Sequence, residues 1–171
     1  MKNELTLPIF VLTDESDTLI NDIDTDQIFH NRYLSIVDID KMGQYALDNL
    51  DGYKDFPTRV EPGMLLVAGE NFGSGSSRQQ AVDCFKALKM EGIAAFSFGA
   101  IYKRNVINSG FPLIELKKLD NAVKKTGTIL TFNLKSGEIF DKQGSLVGEC
   151  KPISPVQEEI IEKGGLLHTV K

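Results

Sequence analysis

From Met64 to Leu116 the chain alternates short apolar runs with helically spaced segments, and nothing else in it restricts the fold so tightly. MLLVA (64–68), IAAFSF (93–98) and PLIEL (112–116) are apolar and bounded by turn residues, which reads as buried strands. Between the first two, Ala81, Cys84, Phe85 and Leu88 recur at i, i+3, i+4 and i+7, so a helix is expected from about Ser77 to Glu91, stopped by Gly92. A second helix is expected from about Ala100 to Ser109, burying Ile101 with some of Tyr102, Val106 and Ile107, and closed by Gly110 and Pro112. Strand, helix, strand, helix, strand in that order implies right-handed crossovers and a largely parallel sheet. LPIFVL (7–12) supplies one more buried strand.

After Thr128 the pattern changes. TILTFNL, GEIFD and GSLVGE alternate or run apolar around Ser136-Gly137 and Gln143-Gly144, as antiparallel strands joined by tight turns do. Ser154, followed by Pro155 at the first helical position and Gln157 three residues after the cap, announces a last helix ending near Gly164-Gly165. The stretch from Asp38 to Arg59 has weak helical spacing through Met42, Tyr45 and Ala46, and reads as a helix within a surface excursion. Long excursions of this kind are often functional. With 171 residues, 42% of them apolar, one α/β domain over 1–171 is expected: a mixed, largely parallel central sheet with flanking helices plus antiparallel strands.

A formal net charge of −5 argues against a nucleic-acid binder, and the locally basic KALK and KKLDNAVKK read as solvated surface. No stretch reaches the roughly 18 consecutive apolar residues of a membrane span. MKNELTLPIFVL lacks the basic flank and small-residue cleavage site of a secretory signal, so a cytoplasmic protein is expected. Cys84 and Cys150 are too few and too far apart for a zinc or iron–sulfur pattern, and Cys84 reads as a core residue. His30 and His168, the only histidines, fall in no triad or metal spacing.

The chemistry-bearing stretch is GENFGSGSSRQQA (69–81), set between a strand and a helix. Amides converging at a helix N-terminus attract anions, because up to four of them lack intrahelical partners and the macrodipole places positive charge there. Gly73 and Gly75 permit positive φ or close approach of a ligand. Arg78, one turn into the expected helix, offers a bidentate donor pair for a carboxylate or phosphate. The Walker and dinucleotide fingerprints both fail, because Arg78 stands where they need Lys-Ser/Thr or a third glycine. Two readings stand side by side: an anion site, or a tight turn in which Ser76 or Ser77 merely caps the helix.

Three ordered motifs, NDIDTDQIFHNRYL (21–34), GENFGSGSSRQQA and SFGAIYKRNVINSGFPLIE (97–115), resemble the family of aconitase swivel domains, whose free-standing members are the small subunits of 3-isopropylmalate dehydratase and homoaconitase. The resemblance covers about 22–115 and implies the swivelling β/β/α fold. It also implies reversible dehydration and rehydration of a hydroxy di- or tricarboxylate, with 2-isopropylmalate becoming 3-isopropylmalate in leucine biosynthesis. A [4Fe-4S] cluster with one iron free of cysteine is implied on a partner large subunit, none being bound by this chain.

By the same resemblance Ser76 aligns with the serine whose alkoxide is the base, and Ser77 and Arg78 contribute donors to substrate carboxylates, with Ser74 and Gly75 beside them. Ser77 reads equally as an N-cap. Asp26 matches an acidic residue of the aconitase site, to which a supporting role toward an arginine or serine is assigned; the competing reading is an Asx-turn at a strand end. Arg32 precedes the loop that tunes substrate choice in the family, and reads either as a cleft residue or as a surface arginine. The chain departs from the family's Gly-Cys-Gly-Ser-Ser-Arg-Glu-His-Ala at Ser74, Gln79 and Gln80, has Ala100 where many relatives carry arginine, and has no arginine in Ser35-Ile36-Val37. The loss of the Glu-His pair removes two titratable groups beside the serine.

Overall fold

A computed structural model of the chain describes residues 4–168. Its strands are β1 (Glu4–Val11), β2 (Leu65–Ala68), β3 (Gly92–Ala95), β4 (Leu113–Leu119), β5 (Ile129–Asn133), β6 (Glu138–Asp141) and β7 (Leu146–Cys150). The helices are α1 (Thr25–Ile28), α2 (Phe56–Arg59), α3 (Gln80–Ala87), α4 (Ala100–Asn108) and α5 (Pro155–Glu162). Every expected strand is present, but the sheet is not open.

Among the described residues the strands close into one barrel in the order β1-β2-β3-β4-β7-β6-β5. The pairs β1–β2, β2–β3 and β3–β4 are parallel, whereas β1–β5, β5–β6, β6–β7 and β7–β4 are antiparallel. The expected largely parallel central sheet is therefore one half of a mixed barrel. Closure comes from the long outer strands: Glu4 to Pro8 pairs with Asn133 to Ile129, and Leu116 to Leu119 pairs with Cys150 to Gly148.

The continuous apolar runs follow from this arrangement, because strands of the parallel half bury both faces. Ile9, Val11, Leu65, Val67, Ala94 and Ile114 point into the barrel and meet Leu130, Phe132 and Ile139 from its antiparallel half. Their neighbours Phe10, Leu12, Leu66, Ala68, Ile93 and Ala95 point outward, into a second core with Phe85, Cys84 and Ala81 of α3, and Tyr102 and Val106 of α4. Each large side chain so buried contributes about 1.5–3 kcal/mol.

Three local expectations need correction. α3 begins at Gln80, not Ser77, and stops at Ala87. Ile101 is exposed, since the buried face of α4 runs through Tyr102 and Val106 instead. The 38–59 excursion forms single 3₁₀ turns at Ile39–Lys41 and Gly43–Tyr45 and the short α2 in place of one helix, and its apolar side chains reach into the core while its polar ones line the surface. Met42, Ala46, Leu47, Leu50, Tyr53 and Phe56 are all buried, and the left-handed φ of 58° at Leu47 prevents a continuous helix.

Candidate active site

The site lies beyond the carboxyl ends of β2 and β3, where the glycine-serine loop is zipped on both sides. On one side Asp22 N donates to Glu70 O (2.9 Å), Gly73 N to Ile23 O (2.7 Å) and Thr25 N to Ser74 O (2.8 Å). On the other, Phe72 N donates to Ser97 O (3.0 Å) and Gly99 N to Phe72 O (2.9 Å). Glycines are required here. A Cβ on Gly73, whose φ is +78°, would stand 2.2 Å from the Tyr102 ring, and one on Gly99 would stand 2.6 Å from Gly73 O.

Past Ser74 the loop comes free. Gly75 has φ +96°, as expected of it, and Gly75, Ser76 and Ser77 are exposed. Among the described residues no amide from Ser74 to Gln79 donates to a protein acceptor, and the Ser76 hydroxyl has no partner. Neither serine caps the helix: its N-cap is Gln79, whose side chain makes no capping bond. The Ser77 hydroxyl instead accepts from Asn105 Nδ2 of α4 at 2.9 Å. Asn105, to which no role attached at the level of sequence, lies within the 97–115 motif, and only the packing of α4 on the loop brings it here.

Arg78 precedes the helix and does not sit one turn inside it. Its Nη1 donates to Asp26 Oδ1 at 2.8 Å and to Phe29 O at 3.0 Å, and its side chain is only 13% exposed. Nη1 is thereby satisfied, whereas among the described residues Nε and Nη2 have no protein acceptor and keep their donors for another anion. Asp26 is fixed in turn, accepting from Asn31 N at 3.0 Å and from Asn49 Nδ2 at 3.3 Å. The hydrogen bond from Arg78 chiefly holds the Asp26 carboxyl below its ordinary range, against a smaller opposing effect of burial.

The local sequence explains why Asp26 is free for this. Asp24, not Asp26, caps α1: Asp24 Oδ1 accepts from Gln27 N while Gln27 Oε1 accepts from Asp24 N, a reciprocal capping box. Asp26 then projects from the first turn toward Arg78. Beyond it, His30 Nε2 lies 3.9 Å from Asp26 Oδ2, and His30 Nδ1 accepts from Arg32 N at 3.0 Å. Arg32 is exposed, with its guanidinium 5.5 Å from the Tyr33 ring centroid and Nε 3.4 Å from His30 Nδ1. It joins the edge of the cluster without touching Asp26 or Arg78. Gln79 Nε2 bonds Asp83 Oδ1 and Gln80 Nε2 bonds Leu34 O, so neither glutamine engages Ser76 or Arg78.

A barrel that presents a free serine, a second hydroxyl held from a helix, and an arginine held by a carboxylate can grip a carboxylate and place a hydroxyl beside it. The aconitase C-terminal domain model matches residues 15–119, the stretch that holds every one of these groups. The chain belongs to the aconitase C-terminal domain family. Among similar proteins, the 3-isopropylmalate dehydratase small subunit of Aliarcobacter butzleri is 37% identical, with 87% of each chain covered. The isopropylmalate/citramalate isomerase small subunit of Methanocaldococcus jannaschii is 38% identical, with 88% of each covered. A crystal structure of 3-isopropylmalate dehydratase from Methanocaldococcus jannaschii superposes with a TM-score of 0.78 at 30% identity, covering 96% of this chain and 92% of that one.

The iron–sulfur cluster associated with aconitase-family chemistry does not fit the residues of this chain. Among the described residues no three or more His, Cys, Asp or Glu gather as a metal site. Cys84 and Cys150 lie in separate cores, and burial pushes the Cys84 thiol far above its ordinary range and the Cys150 thiol up to about 11, opposing the thiolates that ligation needs. No described helix is long and apolar enough to cross a membrane.

Proposed function

We propose that this chain is the small subunit of a 3-isopropylmalate dehydratase, a cytoplasmic hydro-lyase active only when this one swivel-type domain docks on a large subunit that carries the iron–sulfur cluster. The observation that carries the reading is the unpartnered, exposed Ser76 hydroxyl, flanked by unpaired amides and by an arginine already fixed by Asp26. In this reading Ser76 takes the proton from substrate carbon. A serine hydroxyl does not ionise at neutral pH unaided, so donors aimed at its oxygen beforehand must stabilise the alkoxide. The amides of Ser74 to Gln79, the N-terminus of α3 and Arg78 supply that positive potential. The open Nε–Nη2 edge of Arg78 and the Ser77 hydroxyl hold substrate carboxylate oxygens, with the backbone of Ser74 and Gly75 beside them. Asp26 orients Arg78, and Arg32 lies at the rim.

Substrate choice follows from what borders this cluster. The segment after Arg32 exposes Leu34, Val37 and Ile39, with Val37 86% exposed, and the Gln80 side chain ties it to the start of α3. An apolar border suits the isopropyl group of isopropylmalate better than the third carboxylate of a homoaconitate-type substrate. It also suits citramalate's methyl group, which offers less apolar surface, and discrimination by one or two methylenes is worth only about 1–3 kcal/mol.

The test is reconstitution of the chain with a cluster-bearing large subunit under anaerobic conditions, following formation of the unsaturated acid from 2-isopropylmalate, citramalate and homocitrate in parallel. Turnover should be fastest with 2-isopropylmalate. Preference for homocitrate would overturn the substrate assignment, and no turnover with any of the three would overturn the enzymatic reading.

A further inference from the structure

We propose that Asn105 of α4 is a positioning residue for substrate, acting through the Ser77 hydroxyl. The inference rests on the reading of Ser77 as a substrate donor, and it adds a residue to which that reading gave no role. A serine hydroxyl carries one donor and two acceptor sites, and its proton rotates to suit its surroundings. Asn105 Nδ2 donates to Ser77 Oγ at 2.9 Å, filling one acceptor site from the protein side. The Ser77 proton cannot then point back toward the amide hydrogens and is left to donate outward, on the exposed side where the amides of Ser74 to Gln79 are unpaired. The contact thus turns an indifferent hydroxyl into a donor aimed at an anion.

α4 is suited to hold such a contact, because it is fixed beneath the loop at a second point one turn earlier. Tyr102, three residues before Asn105, is 1% exposed; its hydroxyl donates to Ala81 O at 2.8 Å, and its ring fills the space that a Cβ on Gly73 would need. Lys103, between the two, is tied to Glu115 of β4 at 2.6 Å. Asn105 therefore projects from a helix locked to both the loop and the barrel, while Ser77 sits in the least restrained part of the loop. The link runs from a rigid element to a loosely held group, as keeping a binding geometry requires.

Two measurements test the proposal. In the free chain, the side-chain amide resonances of Asn105 should move when Ser77→Ala is introduced, and an unmoved pair would show that the contact does not exist. In the reconstituted enzyme, Asn105→Leu should raise KM for 2-isopropylmalate about tenfold with kcat changed far less, as loss of one hydrogen bond to a charged group would. In a Ser77→Ala background the same substitution should add nothing, whereas full additivity would mean that Asn105 acts elsewhere and would overturn the role. Asn105→Asp, nearly isosteric and therefore usable if the leucine variant does not fold, reverses the polarity by accepting the Ser77 proton. It should raise KM at least as much, and a wild-type KM would show that Asn105 accepts from Ser77 instead. Absence of wild-type turnover would remove the underlying reading and this role with it, while leaving the amide contact visible.

Discussion

Asp26 and Arg78 form a pair in which the carboxylate engages Nη1, and in the proposed function the other edge of the guanidinium takes the substrate carboxylate. Asp26→Asn retains the shape but loses the charge-assisted bond, so kcat/KM should fall roughly ten- to a hundredfold, as happens when a group that orients a binding residue is altered. Melting temperature should hardly change, because a pair whose carboxylate is 38% exposed contributes about 1 kcal/mol or less. The pH behaviour follows from the direction of the Asp26 shift. Its folded pKa is depressed below the ordinary 3.8, so the pair's contribution is fully present above that value and is lost only as pH falls through the lower folded one. A pH–rate profile should therefore contain no step from Asp26 between about pH 5 and pH 8, where an unpaired carboxylate is already ionised. A step in that range that disappears in Asp26→Asn would contradict the assignment.

At the scale of elements, the loop is a strand extension that ends abruptly at Gly75, and its shape depends on Tyr102 beneath Gly73. Gly73→Ala places a methyl group into the ring at a positive φ, which costs about 1–3 kcal/mol through overpacking and backbone strain together. Thermal unfolding should shift downward by that amount and turnover should fall further, because Ser76 and Ser77 hang from the displaced segment. An unchanged melting curve would mean that the ring is not packed there. The motif order, the strands and the two positive-φ glycines were all readable in the sequence, since apolar runs and Gly-Ser clusters are local signals. The start of α3 was not, because Ser77 and Arg78 fit an N-cap and a first turn by residue type while their side chains are drawn instead to Asn105 and to Asp26. Ile101 misled for a similar reason: its spacing fits an apolar face, but that face is set by Tyr102 and Val106 against α3 and the barrel. The 38–59 segment has only a weak periodic signal because its buried residues are distributed over single turns broken at Leu47.

For the molecule as a whole, barrel closure was the feature hidden from sequence, since it depends on pairing between β1 and β5, more than a hundred residues apart. A clasp supports that closure on the opposite side. Glu115 of β4 is ion-paired to Lys103 of α4 and to Lys151 just after β7; burial alone would raise its carboxyl, but the two lysines together hold it below the ordinary range. Glu115→Gln should lower stability by about 1–2 kcal/mol in chemical denaturation, toward the low end for hydrogen bonds to charged groups because solvent screens both partly exposed lysines, and no change would show that the lysines are held by solvent alone. Above all, the proposed function makes catalysis depend on one hydroxyl, that of Ser76, acting in a complex with a second subunit. The most direct measurement is turnover of 2-isopropylmalate by Ser76→Ala reconstituted with the large subunit, together with substrate affinity. Loss of a general base predicts a fall in kcat of roughly a thousandfold with affinity nearly kept. Turnover close to that of the unaltered enzyme would contradict the role given to Ser76.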